Sequence, residues 1–333
     1  MLDSSRIAVT PTAPGRRRIS PGWRLGLAAG LALLAVVAYL GWNIRGDMGF
    51  ALQLRGATAA AMLVAAFAQA VATVTFHTVT GNRILSPSVM GFDSLFVLMQ
   101  TLLVALFGGG VLAATDGVPR LVVQTLLMVG FATALYRWLF TATSGGLYVT
   151  LLVGVVLGMA FDTVSTFIER LLHPTDYDLL SLELFGRLTA VDAGHLPLAF
   201  AVCAVVGVVV WRRRHVLDGL LLGRDMATSI GIDHRRELTV MLIIVAALVS
   251  FSTALVGPLT FFGFLVATVA YQVAGTHRHS HVLPMAVLLG VIALAGGQFI
   301  LQHLFYASGF LTVIIEFAGG IVFLAILIGG RKL

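Results

Sequence analysis

A succession of apolar runs, each close to the length that crosses a bilayer, leaves this chain few folds to adopt. A membrane-spanning helix needs about 20 consecutive apolar residues. Such runs recur near 24–41, 57–79, 90–108, 119–140, 146–168, 195–211, 238–256, 259–273, 283–304 and 310–329. Lipid offers the backbone no hydrogen-bond partner, so each run must satisfy its own N–H and C=O groups as a helix. The expected fold class is therefore an all-α integral membrane protein with about ten transmembrane helices. Composition agrees: 59% of the 333 residues are hydrophobic and 11% are charged, where a soluble domain carries about 25% charged residues. The eighth run is short, and Gly257-Pro258 parts it from the seventh by almost nothing. That pair reads as a helical hairpin whose second arm stops part-way.

The basic residues orient the spans, because arginine and lysine accumulate in cytoplasmic loops. With the N-terminus inside, only Arg45, Arg55, Arg120, Arg170 and Arg187 of the 21 basic residues face outward. The opposite orientation would place six arginines of one loop outside. Both termini are thus expected in the cytoplasm. The high pI, about 10.1, follows from these loops and does not point to nucleic acid. Leu40-Gly41-Trp42-Asn43 makes a poor signal-peptide cleavage site. Residues 1–23 accordingly read as a basic cytoplasmic tail without fixed structure, and 24–333 as one membrane domain. The outer loop at 169–194 mixes five acidic residues with Leu179, Leu180, Leu182, Leu184 and Phe185, which predicts a short interfacial helix lying on the membrane.

Several chemistries drop out. Lys332 is the only lysine, and a nucleotide-binding P-loop needs a lysine beside its glycine-rich turn. If ATP drives this chain, a separate subunit binds it. No Ser/His/Asp grouping, metal-spaced histidine cluster or pair of loop carboxylates suggests an enzyme. His277-Arg278-His279-Ser280-His281 reads as a solvated turn, since its arginine repels a cation and no carboxylate neighbours it in sequence. The single cysteine, Cys203, can form no internal disulfide. No metal or cofactor is expected on the chain itself.

Charges within the spans are Asp93, Asp162 and Glu316, each costing about 2.5–3.5 kcal/mol at the bilayer centre. Asp93 is expected near the cytoplasmic start of the third span and Asp162 in the outer half of the fifth, both at cheaper depths. Glu316, a third of the way into the last span, must face protein or water. Their scarcity weighs against ion coupling. An alternative reading is a stand-alone ten-span proton-coupled drug or metabolite carrier, for which Glu316 is the one good proton-carrying candidate.

The most polar interior stretch is the loop at 212–237. Arg212-Arg213-Arg214-His215 opens it, Gly223-Arg224-Asp225-Met226-Ala227-Thr228-Ser229-Ile230-Gly231 follows, and Asp233-His234-Arg235-Arg236 closes it. Flanking arginines hold such a loop at the cytoplasmic face. Its small-residue helical pattern makes it a candidate docking surface for a soluble partner.

Four stretches together resemble the FecCD family of permease subunits, which serve bacterial importers of iron-siderophore complexes and cobalamin. They are Gly81-Asn82-Arg83-Ile84-Leu85-Ser86-Pro87-Ser88-Val89-Met90-Gly91-Phe92-Asp93-Ser94, Gly223 to Gly231, Gly257-Pro258-Leu259-Thr260-Phe261-Phe262-Gly263, and Gly319-Gly320-Ile321-Val322-Phe323. The first is most similar to the iron-chelate branch. The resemblance implies the type II ABC-importer permease architecture, in the bacterial cytoplasmic membrane. It also implies partners: ABC ATPase subunits carrying ATP and Mg at the cytoplasmic face, an extracytoplasmic siderophore-binding protein, membrane lipid, and a second permease, a heterodimer being favoured over a homodimer. The loop at 212–237 then holds the ATPase-coupling helices, with Gly223, Arg224, Asp225, Met226, Ala227, Thr228 and Gly231 as coupling positions. Arg55 is similar to basic residues that dock the binding protein, although the second basic residue often found nearby is replaced by Gly56-Ala57-Thr58. Pro87, Gly91, Asp93, Gly257, Pro258, Gly263 and Glu316 become candidates for the translocation path or its gates.

Overall fold

In the computed structural model the described residues are 20–43, 47–110, 117–142, 146–185, 188, 191–305 and 311–329. Residues 1–19, which make up most of the expected tail, lie outside the described residues, as do Arg45, Arg187, Arg331 and Lys332. Every regular element among the described residues is helical. Six helices are long and apolar enough to cross a membrane, and four shorter apolar helices accompany them.

Helix α1 (Pro21–Gly41) starts on a proline, whose missing N–H costs nothing at a helix start, and Ser20 accepts from the Trp23 amide. Helix α2 (Met48–Thr80) is the axis of the bundle. Asp47 caps its first turn by accepting from the Gly49 and Phe50 amides, and Gly81, at φ +62°, ends it in the left-handed conformation. Its 33 residues extend about 50 Å. From Thr58 onward α2 is almost wholly buried, and its inner face is a run of alanines from Ala59 to Ala72. Small side chains let neighbouring backbones approach closely in lipid. Helices α10 (His234–Val256), α11 (Phe262–Ala274) and α12 (His279–Val291) pack there. Helix α12 continues through a π-helical turn at Ile292–Gly296 into α13 (Gly297–Leu304), and it carries Pro284 in its interior.

Helices α3 (Phe92–Phe107) and α5 (Gly146–Glu169) pack on each other, α4 (Val118–Ala142) packs mainly on α10, and α14 (Leu311–Gly329) packs on α11. Helices α3 and α11 have 16 and 13 residues, or about 24 and 20 Å, short of the roughly 30 Å hydrocarbon core. Both begin inside the bundle. The chain after α2 turns back among the helices, so α3 starts at depth. Asp93 is consequently far from the end of the bundle where α10 starts, the edge at which the sequence alone places it. It bonds Thr253, about 28 Å along α10 from that helix's start.

Helix α6 (Pro174–Phe185) forms where the sequence predicts a short helix, and protein contacts fasten it. Leu180 packs on Val104 of α3, the Gly109 amide donates to Asp176 Oδ1 at 2.9 Å, and Glu183 pairs with Arg120 at the start of α4. Helix α7 (Leu196–Arg212) leads to two short helices at the opposite end of the bundle, α8 (Arg214–Leu220) and α9 (Arg224–Ser229).

Candidate functional site

Two features at opposite ends of the bundle stand out. The first is a cavity of about 510 Å³ between α3, α5, α6, the α10–α11 turn and α14. Four carboxylates line it, from Asp93, Asp162, Glu169 and Glu316, together with hydroxyls of Ser88, Thr260 and Thr312. Tyr177 and Ser181 of α6 line it as well. Asp93 is 6% exposed and well satisfied: Thr253 donates to Oδ1 at 3.1 Å and Thr260 to Oδ2 at 3.0 Å. Hydrogen bonds to an ionised group are worth about 1.5–3 kcal/mol each, comparable with the cost of keeping a carboxylate at that depth. The arrangement can hold a polar solute beside hydroxyl and carboxylate oxygens. It offers no nucleophile–base pair and, among the described residues, no group of three or more metal-ligating side chains.

Glycines make the cavity wall thin. Gly91, at φ +96°, begins α3 and lies against α5, where an added Cβ would meet the Gly158 Cα at 3.0 Å and the Gly154 oxygen at 3.2 Å. The two backbones touch with no side chain between them. Gly257, at φ +87°, ends α10 against the Leu184 carbonyl of α6.

The candidates proposed from sequence therefore fall into three groups. Asp93, Pro258 and Glu316 line the cavity together. Gly91 and Gly257 shape its wall through backbone contacts. Pro87 and Gly263 do not line it: Pro87 precedes the short 3₁₀ turn Ser88–Met90, and Gly263 sits where Thr73 of α2 leaves no room for a side chain. Asp162 and Glu169 complete the acid set. Asp162 was visible as an in-span charge, but only the fold aligns it with Asp93.

The second feature is the surface made by α8 and α9. Gly223 (φ +86°) and Gly231 (φ +87°) take backbone conformations open to glycine, which lets α9 double back on α8. Gly219 of α8 leaves room for Ile230 and Ile232, and Ala227 is fully buried. That contact leaves Arg224, Asp225 and Thr228 exposed. It also exposes three large apolar side chains, Leu222 (60%), Met226 (63%) and Ile230 (60%). An apolar patch rimmed by charge marks an interaction site. Leu222 and Ile230 lie inside the loop expected to dock, but their exposure is not legible in the sequence, where apolar residues in a helical pattern read as a buried face. The Arg213–Glu237 ion pair ties the base of this surface to α10.

Arg55 and His279 both have structural roles. Arg55 sends Nη1 to the carbonyls of Tyr39, Leu40 and Trp42, at 3.2, 3.4 and 2.8 Å. It thereby caps the C-terminus of α1, where a cation is favoured. His279 is not part of a solvated turn. It is 2% exposed, because α8 brings Asp218, 61 positions away in sequence, against its ring.

Comparison with known proteins gives a consistent picture. The profile of the FecCD transport family matches residues 25–329. The chain is 40% identical over 273 residues to the petrobactin import system permease protein FatC of Bacillus anthracis, covering 82% of this chain and 77% of that protein. It is 37% identical over 309 residues to the petrobactin import system permease protein YclO of Bacillus subtilis, covering 93% and 98%. A second B. anthracis petrobactin permease, FatD, is 24% identical over 282 residues, covering 83% and 80%. In fold, the chain resembles a solved ABC transporter of metal-chelate type in an inward-facing conformation, with TM-score 0.77, 15% identity, and coverage of 92% of this chain and 99% of that one.

Proposed function

We propose, since the chain belongs to the FecCD transport family, that it is the permease subunit of an ATP-driven bacterial importer of ferric siderophores, with petrobactin-type chelates as substrate. The observation that carries this reading is the pairing of two unlike surfaces in one bundle. A carboxylate- and hydroxyl-lined cavity lies at one end, and an exposed apolar-and-charged helix pair lies at the other. A carrier working alone needs the first and has no use for the second.

Ten spans place both termini and the α8–α9 surface in the cytoplasm, consistent with the arginines that flank it. An ATPase subunit seats on Leu222, Met226 and Ile230, with Arg224 and Asp225 at the rim. A binding protein delivers the chelate on the α6 side, and the solute passes along the cavity wall formed by α3, α5 and α14. The cavity completes its other half against a second permease. A different chain is favoured for that place because the B. anthracis petrobactin relatives comprise two permeases, FatC and FatD. No bond chemistry occurs on this chain, and ATP with Mg is held by the partner ATPase.

Reconstitution in liposomes tests the proposal. The chain with its second permease and ATPase should import ferric petrobactin only when ATP and the binding protein are both supplied. Uptake by the chain alone, driven by a proton gradient, would replace this reading with the carrier.

A further inference from the structure

The α8–α9 surface is joined to the bundle core through one side-chain chain that family membership does not assign. Helix α12 begins at His279, and its N-cap residue Arg278 supplies no side-chain cap. The first N–H groups of a helix need partners, and here the partner comes from another element. Asp218, near the end of α8, accepts from the His279 backbone N–H at 2.8 Å through Oδ1. The same oxygen meets His279 Nδ1 at 2.7 Å. A carboxylate can only accept, so Nδ1 carries a proton. On the other side of the ring, Nε2 lies 2.7 Å from Thr78 Oγ1, in the last turn of α2. Thr78 in turn reaches the Val74 carbonyl at 2.9 Å. One imidazole therefore bridges α8, the start of α12 and the end of the axial helix α2.

The surroundings favour transmission over simple anchoring. The His279 side chain is 2% exposed and that of Asp218 is 30% exposed, so the bridge sits at the base of the docking surface and not on its outer face. The residues that follow α9, Ile230 and Ile232, rest on α8 at Gly219. Helix α12 is interrupted, with Pro284 inside it and the π-helical turn Ile292–Gly296 after it, and such interruptions are where helices bend.

We infer that Asp218 and His279 are positioning residues that convert movement of the α8–α9 surface into movement of α12 and α2, so that ATP hydrolysis is coupled to transport. This rests on the permease reading above.

The test uses the full complex in liposomes, with ferric petrobactin and the binding protein, and measures ATPase assembly, ATP hydrolysis and chelate imported per ATP. Asp218→Ala and His279→Ala should each leave assembly and hydrolysis in place while lowering chelate imported per ATP at least about fivefold, the lower end of typical coupling effects. The double variant should be no worse than either single one, and Asp218→Asn, which keeps an accepting oxygen, should recover part of the loss. Normal import per ATP, losses that multiply, or failed assembly of Asp218→Asn would each overturn the inference. A wild-type chain that recruits no ATPase would instead overturn the function proposed above.

Discussion

Gly158→Ala offers the sharpest packing prediction. A Cβ on Gly158 would lie 2.9 Å from the Gly91 Cα and 3.3 Å from its nitrogen. Both are backbone atoms, so no flexible side-chain end can swing away. Overpacking of a tight contact costs about 1–3 kcal/mol, and backbone against backbone belongs at the upper end. Alanine returns about 1 kcal/mol through its better helix propensity. The net loss is then about 2 kcal/mol, read as a fall of a few degrees in the thermal midpoint. The assay is thermal unfolding in detergent, with Gly130→Ala of α4 as the control, because nothing lies within 4 Å of an added Cβ there. Gly130→Ala should hold or raise the midpoint. Because α3 would be pushed from α5, Gly158→Ala should also slow import at unchanged ATPase assembly. A midpoint for Gly158→Ala at or above that of wild type would refute the close α3–α5 contact.

Three further expectations follow from the same geometry. Met226→Glu places a charge where an apolar contact is proposed, and burial of such a side chain is worth about 1.5–3 kcal/mol, so ATPase affinity should fall at least about tenfold; pull-down titration measures it. Arg55→Ala removes the cap on α1 and should destabilise the chain by about 1 kcal/mol, with binding-protein affinity unchanged in a surface-binding assay. Glu316→Gln should leave ATP-dependent uptake intact and insensitive to a protonophore, whereas abolished, gradient-driven uptake would favour the carrier.

Sequence reading reached the elements whose cause is local. The apolar runs are long enough to announce helices, Gly257-Pro258 announced the short α11, and the acidic loop announced α6. Depth was not local. Nothing in Ile84-Leu85-Ser86-Pro87 says that the chain turns back into the bundle, so Asp93 was placed at an edge. Its partners Thr253 and Thr260 lie on the α10–α11 hairpin, 160 or more residues away. The burial of His279 was equally hidden, because its cause is Asp218 on a helix that only the fold brings near. At α9 the whole loop stands out in the sequence, but not which of its apolar side chains are exposed, since that is decided by what the helix leaves uncovered.

The central claim is that the α8–α9 surface faces the cytoplasm and seats an ATPase. The most direct measurement places a single cysteine at Met226 in a Cys203→Ser background. In intact cells this thiol should resist a membrane-impermeant reagent added from outside, and a bifunctional cross-linker should join it to a nucleotide-hydrolysing subunit. Labelling from outside, or cross-linking only to proteins that hydrolyse no nucleotide, would contradict the account.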